Sequence, residues 1–184
     1  MKLRFLSSNA HKISEVKKIL DPIGVKMVPI DYKIEEIQTK DVERLVRDKA
    51  VKAFQKIGRP LFVEHTTLHL TVLNDFPAGL TQVFWDTLLA DRVSDLFGSL
   101  DDPSVIARTR IGFCDGKRIH QFEGEVRGRI APKPMGPRDF QWDCVFIPNG
   151  ETRTFAEMGD EKNEISMRRK ALNNFAEFLK ANKP

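Results

Sequence analysis

Residues 3–6 alternate apolar and basic side chains, the period of a half-buried strand, and end in the polar turn Ser7-Ser8-Asn9. From Lys12 the period lengthens, and Ile13, Val16, Ile19 and Leu20 share one helical face that Pro22 and Gly24 bring to an end. Residues 25–28 predict a second strand, so the chain opens as strand, polar loop, helix, strand. The clearest helical stripe lies in residues 41–57, where Val42, Leu45, Val46, Ala50, Ala53, Phe54 and Ile57 line up and Gly58 with Pro60 supplies the stop. Leu61-Phe62-Val63 predicts a short buried strand running into Glu64-His65-Thr66. Residues 68–73 continue as an alternating strand up to the turn at 74–77, and a helix over 82–97 follows, closed by Gly98.

The middle of the chain reads as a hairpin: residues 104–113 and 117–130 alternate on either side of Asp115-Gly116, a two-residue turn of positive φ. Residues 131–140, with three prolines and a glycine, predict an irregular loop. Residues 142–148 predict another strand, Asn149-Gly150 a turn, and 163–180 a last helix with Ile165, Leu172, Phe175 and Leu179 inward. The result is a mixed α/β pattern whose strands come from distant parts of the chain. Ligand sites in such proteins gather where loops leave strand ends.

Composition narrows the picture. A length of 184 residues suits one domain, or two small lobes sharing a core, and 41% hydrophobic with 30% charged residues is ordinary for a globular chain. No apolar run is long enough to span a bilayer, and the first residues pass straight into a strand pattern, so neither a membrane span nor a signal peptide is expected. Cys114 and Cys144 stand far apart without metal-ligand spacing, which predicts a reduced, cytoplasmic protein. The net charge of +4 is spread among acids and suits a small anionic ligand. A nucleic-acid binder stacking bases on Phe140 and Trp142 would call for denser basic clusters.

Four groups carry candidate chemistry. Ser7, Asn9, Lys12 and Glu15 lie at a strand-to-helix junction, where backbone N–H groups, a hydroxyl, an amide and an ammonium can cradle an anion; the plainer reading is a capped helix. Glu35, Glu36 and Glu64 offer carboxylates to a Mg²⁺ ion that accompanies a triphosphate, or are surface glutamates. Phe140 and Trp142, two apart on a segment expected to be extended, point the same way and can sandwich a planar base beside Asp143, or form an ordinary core pair. Lys162, Ser166 and Arg168, at the start of the last helix, suit a phosphate or a purine oxygen, or make a basic amphipathic surface.

Together these segments resemble the inosine/xanthosine triphosphate pyrophosphatases. Ser7-Ser8-Asn9 with Lys12 and Glu15, Glu64 with Thr66 and Leu68, Asp139-Phe140 with Trp142-Asp143, Thr154-Phe155-Ala156-Glu157-Met158, and Glu161-Lys162-Asn163 with Ser166, Arg168 and Lys170-Ala171-Leu172 occur in family order, and the resemblance runs from Leu3 to about Leu179. It implies one domain over residues 1–184: an elongated mixed β-sheet flanked by helices, two lobes around a central nucleotide cleft, assembled as a homodimer. Ser7, Asn9, Lys12 and Lys49 would hold phosphates. Glu36, with Glu15 in support, would take Mg²⁺, with Mn²⁺ as a substitute. Phe140, Trp142, Asp143, Lys162, Ser166, Met167 and Arg168 would surround the base.

The family cleaves its substrate to a monophosphate and pyrophosphate, with an aspartate between the glutamate and the threonine of its catalytic motif. Here that motif reads Glu64-His65-Thr66, and imidazole is a poor Mg²⁺ ligand although it can act as a base. Met167 stands for the family histidine, Gln141 for a glycine and Cys144 for a proline. On these departures the expected protein recognises dITP, ITP or XTP with hydrolysis lost or weak, a sensor passing occupancy to an effector protein partner, for instance in antiviral defence. The alternative is an active pyrophosphatase that cleanses the nucleotide pool.

Overall fold

In the computed structural model, which describes residues 2–182, strand β1 (Lys2–Leu6) lies between two parallel partners. Helix α1 (Ala10–Leu20) returns the chain to β2 (Lys26–Ile30) on one side, and helix α2 (Val42–Ile57) returns it to β3 (Leu61–Leu70) on the other. Right-handed crossovers that run in opposite directions along the sheet, β1 to β2 and β2 to β3, place their helices on opposite faces. The cores show this. Leu3, Phe5 and Phe62 pack with Val16, Ile19 and Leu20 of α1, whereas Leu6, Leu61 and Val63 pack with Leu45, Val46, Ala50 and Ala53 of α2. The two-residue period of a strand therefore decides which helix each β3 side chain meets.

The sheet continues antiparallel through β4 (Phe76–Ala78), β5 (Ser104–Cys114), β6 (Ile119–Ile130) and β7 (Phe146–Pro148), in the order β2-β1-β3-β5-β6-β7 with β4 paired to β3. Helix α3 (Thr81–Phe97), α4 (Phe155–Met158), α5 (Lys162–Ile165) and α6 (Met167–Ala181) complete the chain, α3 being broken at Leu89, where the backbone leaves the helical region, and not continuous as the sequence predicts. Helix α6 joins α1 on its face of the sheet, through Ala171, Leu172 and Phe175. A third cluster, built on Leu68, Leu70, Phe84, Val93, Trp142, Phe146 and Phe155, forms the other end of the molecule. The expected mixed sheet with flanking helices is present, with separate cores at its two ends.

Three further expectations need correction. Residues 61–70 form one strand, and 71–73 are a 3₁₀ turn: every β3 residue from Leu61 to Leu70 is held in register by β5. Residues 141–145 are a 3₁₀ turn, not a strand, and only 146–148 pair, with β6. The last helix is interrupted at Ser166, whose extended backbone and hydroxyl, accepting from the Arg169 N–H, start α6 afresh. Ile165, expected inward, is exposed as a result.

Helix α6 approaches β6 unusually closely at Gly124, where an added Cβ would lie 2.3 Å from the Met167 carbonyl oxygen and 2.4 Å from the Ala171 nitrogen. Absence of a side chain there lets the first turn of α6 sit against the sheet and carries Arg168 inward.

Candidate functional site

β1 pairs with β3 only as far as Phe62, and β4 takes up the same edge at Leu68. Between them, among the described residues, 63–67 are paired to β5 alone, so the sheet is split at Glu64-His65-Thr66. A cleft of about 610 Å³ opens on this split, lined among others by Ser7, Asn9, Lys12, Glu36, Lys49 and Trp142. A second cavity of about 240 Å³ lies at the far side of α1, between Glu15, Phe140, Asp143 and Lys162.

Strand alternation sends Glu64 to the α1/α6 face. There it is 3% exposed and meets the Lys12 ammonium at 3.0 Å, the Arg168 guanidinium at 3.6 Å and the Thr66 hydroxyl. Burial alone would raise its carboxyl, but Arg168 and then Lys12 outweigh that and hold it far below the ordinary carboxylate range. Lys12 is shifted below its usual value, burial being the main cause. Arg168 also bonds Glu15, which a further 3.3 Å contact joins to Lys162; Lys162 bonds Asp143. Arg168 thus ties Glu15, on the lining of the second cavity, to Glu64, on that of the cleft.

His65 turns to the α2 face. Its Nδ1 lies 3.4 Å from Glu36 Oε2, and the Lys49 ammonium bonds Glu36 Oε1 at 2.5 Å and the Glu64 carbonyl at 3.3 Å. Burial, then the Lys49 charge, push the imidazole down to about 4 against the opposing pull of Glu36, so it is neutral near pH 7. A carboxylate facing Nδ1 favours the proton there and leaves a lone pair on Nε2, which is buried and has no hydrogen-bond partner.

Local sequence explains these placements. Helix α1 begins at Asn9, whose Oδ1 accepts from the Lys12 N–H while the Ser7 hydroxyl accepts from the Asn9 N–H. The capped helix of the plainer reading is therefore present, and its N-terminus faces the cleft. Lys12 and Glu15 sit one turn before Val16 and Ile19 on the buried stripe of α1, Lys49 lies between Val46 and Ala50 on that of α2, and Arg168 lies beside Met167 and Ala171 on that of α6. Charges on buried stripes were the legible sign that these helices converge on something ionic.

The proposed base clamp is rearranged. Because 141–145 turn rather than extend, Phe140 and Trp142 do not flank one slot. Trp142 is 2% exposed, packs edge-on against Phe146 and borders the cleft. Phe140 borders the second cavity, with the Lys162 ammonium 4.4 Å and the Arg168 guanidinium 5.9 Å from its ring centre. Met167, expected at the base, is buried in the hydrophobic core, in the cluster that also holds Trp142 and Phe146. Ser166 is a buried cap. Glu15, expected near a metal, is committed to Arg168 and Lys162 instead. Among the described residues no three His, Cys, Asp or Glu side chains gather as a metal cluster. Glu36 is the carboxylate on the cleft with 30% of its side chain still exposed.

Several lining residues escaped the sequence reading. The His11 ring lies tilted against Phe140 at 5.0 Å between centres, and Gln82 accepts a hydrogen bond from Gln141 across the end of the cleft. Neither had a local signal, because both pairs join segments far apart in the chain.

A model of the Ham1 family matches residues 3–178. The chain belongs to the Ham1 family. It is 36% identical to the dITP/XTP pyrophosphatase of Methanopyrus kandleri, over 99% of this chain and 98% of that one. It is 34% identical to the inosine triphosphate pyrophosphatase of Yarrowia lipolytica, over 97% and 96%. The solved structure of a HAM1 protein from Coxiella burnetii superposes with a TM-score of 0.82 at 24% identity, covering 98% of this chain and 99% of the other, which shows the shared fold. No helix among the described residues is long and apolar enough to cross a membrane.

Proposed function

We propose that this Ham1-family chain is a nucleoside triphosphate pyrophosphatase for deaminated purines, converting dITP, ITP or XTP to the monophosphate and pyrophosphate. The observation that carries the reading is the convergence of Lys12 and Lys49, from helices on opposite faces, on the same split in the sheet beside the N-terminus of α1. Two ammonium groups beside a helix N-terminus suit a polyphosphate. The names of the relatives favour hydrolysis over binding alone.

In this reading Lys12, Lys49, Ser7 and Asn9 hold the tail, and the base lies on Phe140 with Asp143 and Lys162 at its edge. Asp143, raised above its ordinary value by burial despite the Lys162 charge, and Lys162 together offer an acceptor and a donor. His65, neutral and anchored through Nδ1, accepts the proton of the attacking water. Its buried Nε2 needs a small shift of the ring or of its neighbours for water to reach it. Glu36, half-exposed on the cleft, would hold a Mg²⁺ or Mn²⁺ ion, and that ion would supply charge neutralisation for the tail.

A second reading, binding without turnover, is favoured by His65 itself: a neutral imidazole, a poor Mg²⁺ ligand, stands 3.4 Å from Glu36 on the cleft. Incubating the protein with dITP, XTP and dATP in Mg²⁺ or Mn²⁺, with product and binding followed together, separates the two. Pyrophosphate released in step with dIMP, and faster from dITP than from dATP, is expected. Tight binding with no product would leave the second reading standing, and orthophosphate as the product would overturn the first.

A further inference from the structure

The two lysines of the cleft are already neutralised. Lys12 faces Glu64 Oε2 at 3.0 Å, and Lys49 faces Glu36 Oε1 at 2.5 Å. These two contacts differ in kind. Glu64 lies within the sheet with its side chain 2% exposed, and it keeps Arg168 and Thr66 when Lys12 turns away. Glu36 lies in the irregular segment between β2 and α2, tied down by the Lys49 ammonium, His65 Nδ1 and a bond from Gln38 to its own carbonyl. A phosphate that takes Lys49 therefore strips Glu36 of its main counter-charge, beside a neutral imidazole, in a half-buried site. Leaving a carboxylate so exposed to an arriving polyanion is unfavourable unless a cation replaces the lost ammonium.

We propose that Glu36 is a positioning residue that couples divalent-cation binding to nucleotide binding by exchanging partners: it holds Lys49 in the free protein and releases it to the phosphate tail when a divalent cation takes over the carboxylate. This deepens the pyrophosphatase reading and rests on it. Nucleotide alone must compete with Glu36 for Lys49, and cation alone must compete with Lys49 for Glu36, so each binds poorly without the other. Together they satisfy both halves of the broken pair. The linkage is reciprocal, as any coupling of two binding equilibria must be. Lys49 also retains its bond to the Glu64 carbonyl, so its ammonium stays at the cleft after Glu36 leaves.

The sign of the expected result is unusual for a residue at an active site, since removing Glu36 strengthens binding under one condition. Titration calorimetry with the α,β-methylene analogue of dITP, which is not cleaved, reads it directly. In EDTA, Glu36→Gln is expected to bind the analogue on the order of tenfold more tightly than wild type, and to lose most of the further tightening that Mg²⁺ or Mn²⁺ gives wild type. Glu36→Ala gives the same pattern, and Glu36→Asp keeps the coupling in part. Thermal unfolding of each variant checks its fold, and a loss of structure would lower affinity in every condition instead of raising it in EDTA. If the Gln and Ala variants bind no more tightly than wild type in EDTA, or if metal enhances their affinity as it does for wild type, the exchange is overturned. Failure of wild type to bind the analogue in the presence of Mg²⁺ or Mn²⁺ would instead remove the pyrophosphatase reading on which it rests.

Discussion

On the α1/α6 side of β3, Glu64 is enclosed by two cations and a hydroxyl; on the α2 side, one residue later, His65 faces one carboxylate beside one ammonium. The first side is closed and its charges are paired, with Arg168 joining it to Glu15 and the second cavity, although Glu64 Oε2 and Arg168 Nε are buried without a hydrogen bond. The second side is more open and has a buried imidazole nitrogen without a partner. Both residues are in register with β5, and among the described residues neither pairs with a second strand. Their different surroundings come from which helix the strand period turns them toward. A split sheet thus gives one strand access to two electrostatic environments, a fixed one that shapes the cleft and a changeable one that can respond to a ligand.

Breaking the fixed side costs the most. Glu64→Gln leaves Arg168 and Lys12 buried without their shared carboxylate, and the loss of stability expected in denaturant or thermal unfolding is about 3 kcal/mol. A change near zero would mean that Glu15 and solvent already satisfy those cations, and the contrast between the two sides would disappear. On the changeable side, pH is the finer tool. His65 is held near 4 in the fold against about 6.5 in an unfolded chain, so between those values the unfolded state binds more protons and stability falls as pH is lowered. Wild type is expected to lose on the order of 2 kcal/mol more than His65→Gln between pH 6.5 and pH 4, with no difference between their slopes above pH 7. Parallel stability curves for the two proteins would show that the imidazole is not desolvated as the structure has it.

Much of the architecture was legible because long periodic segments met few competing signals. The stripes of α1 and α2, their stops at Gly24 and Gly58, and the long hairpin all lie close to where periodicity puts them. Residues 141–145 were not legible, because apolar residues there are buried by the core beneath and not by strand pairing, and an aromatic pair two apart reads the same in either case. The same ambiguity misplaced the base clamp. The charged residues of the cleft were identifiable as types, but their partners were not: Glu15 and Arg168 are 153 positions apart, and only the close seat of α6 at Gly124 brings them together. The alternation of Glu64 and His65 was readable, but the faces they point to acquire meaning only once α1 with α6, and α2, are known to lie on opposite sides.

A single nucleotide is expected to occupy both cavities, with its tail in the cleft at the split in β3 and its base beside Phe140 in the second. A crystal structure with the α,β-methylene analogue of dITP and Mg²⁺ tests it most directly. Phosphates between Lys12 and Lys49 and the purine stacked on Phe140 are expected. A nucleotide seated away from the split in β3, or a base lying remote from Phe140, would contradict it.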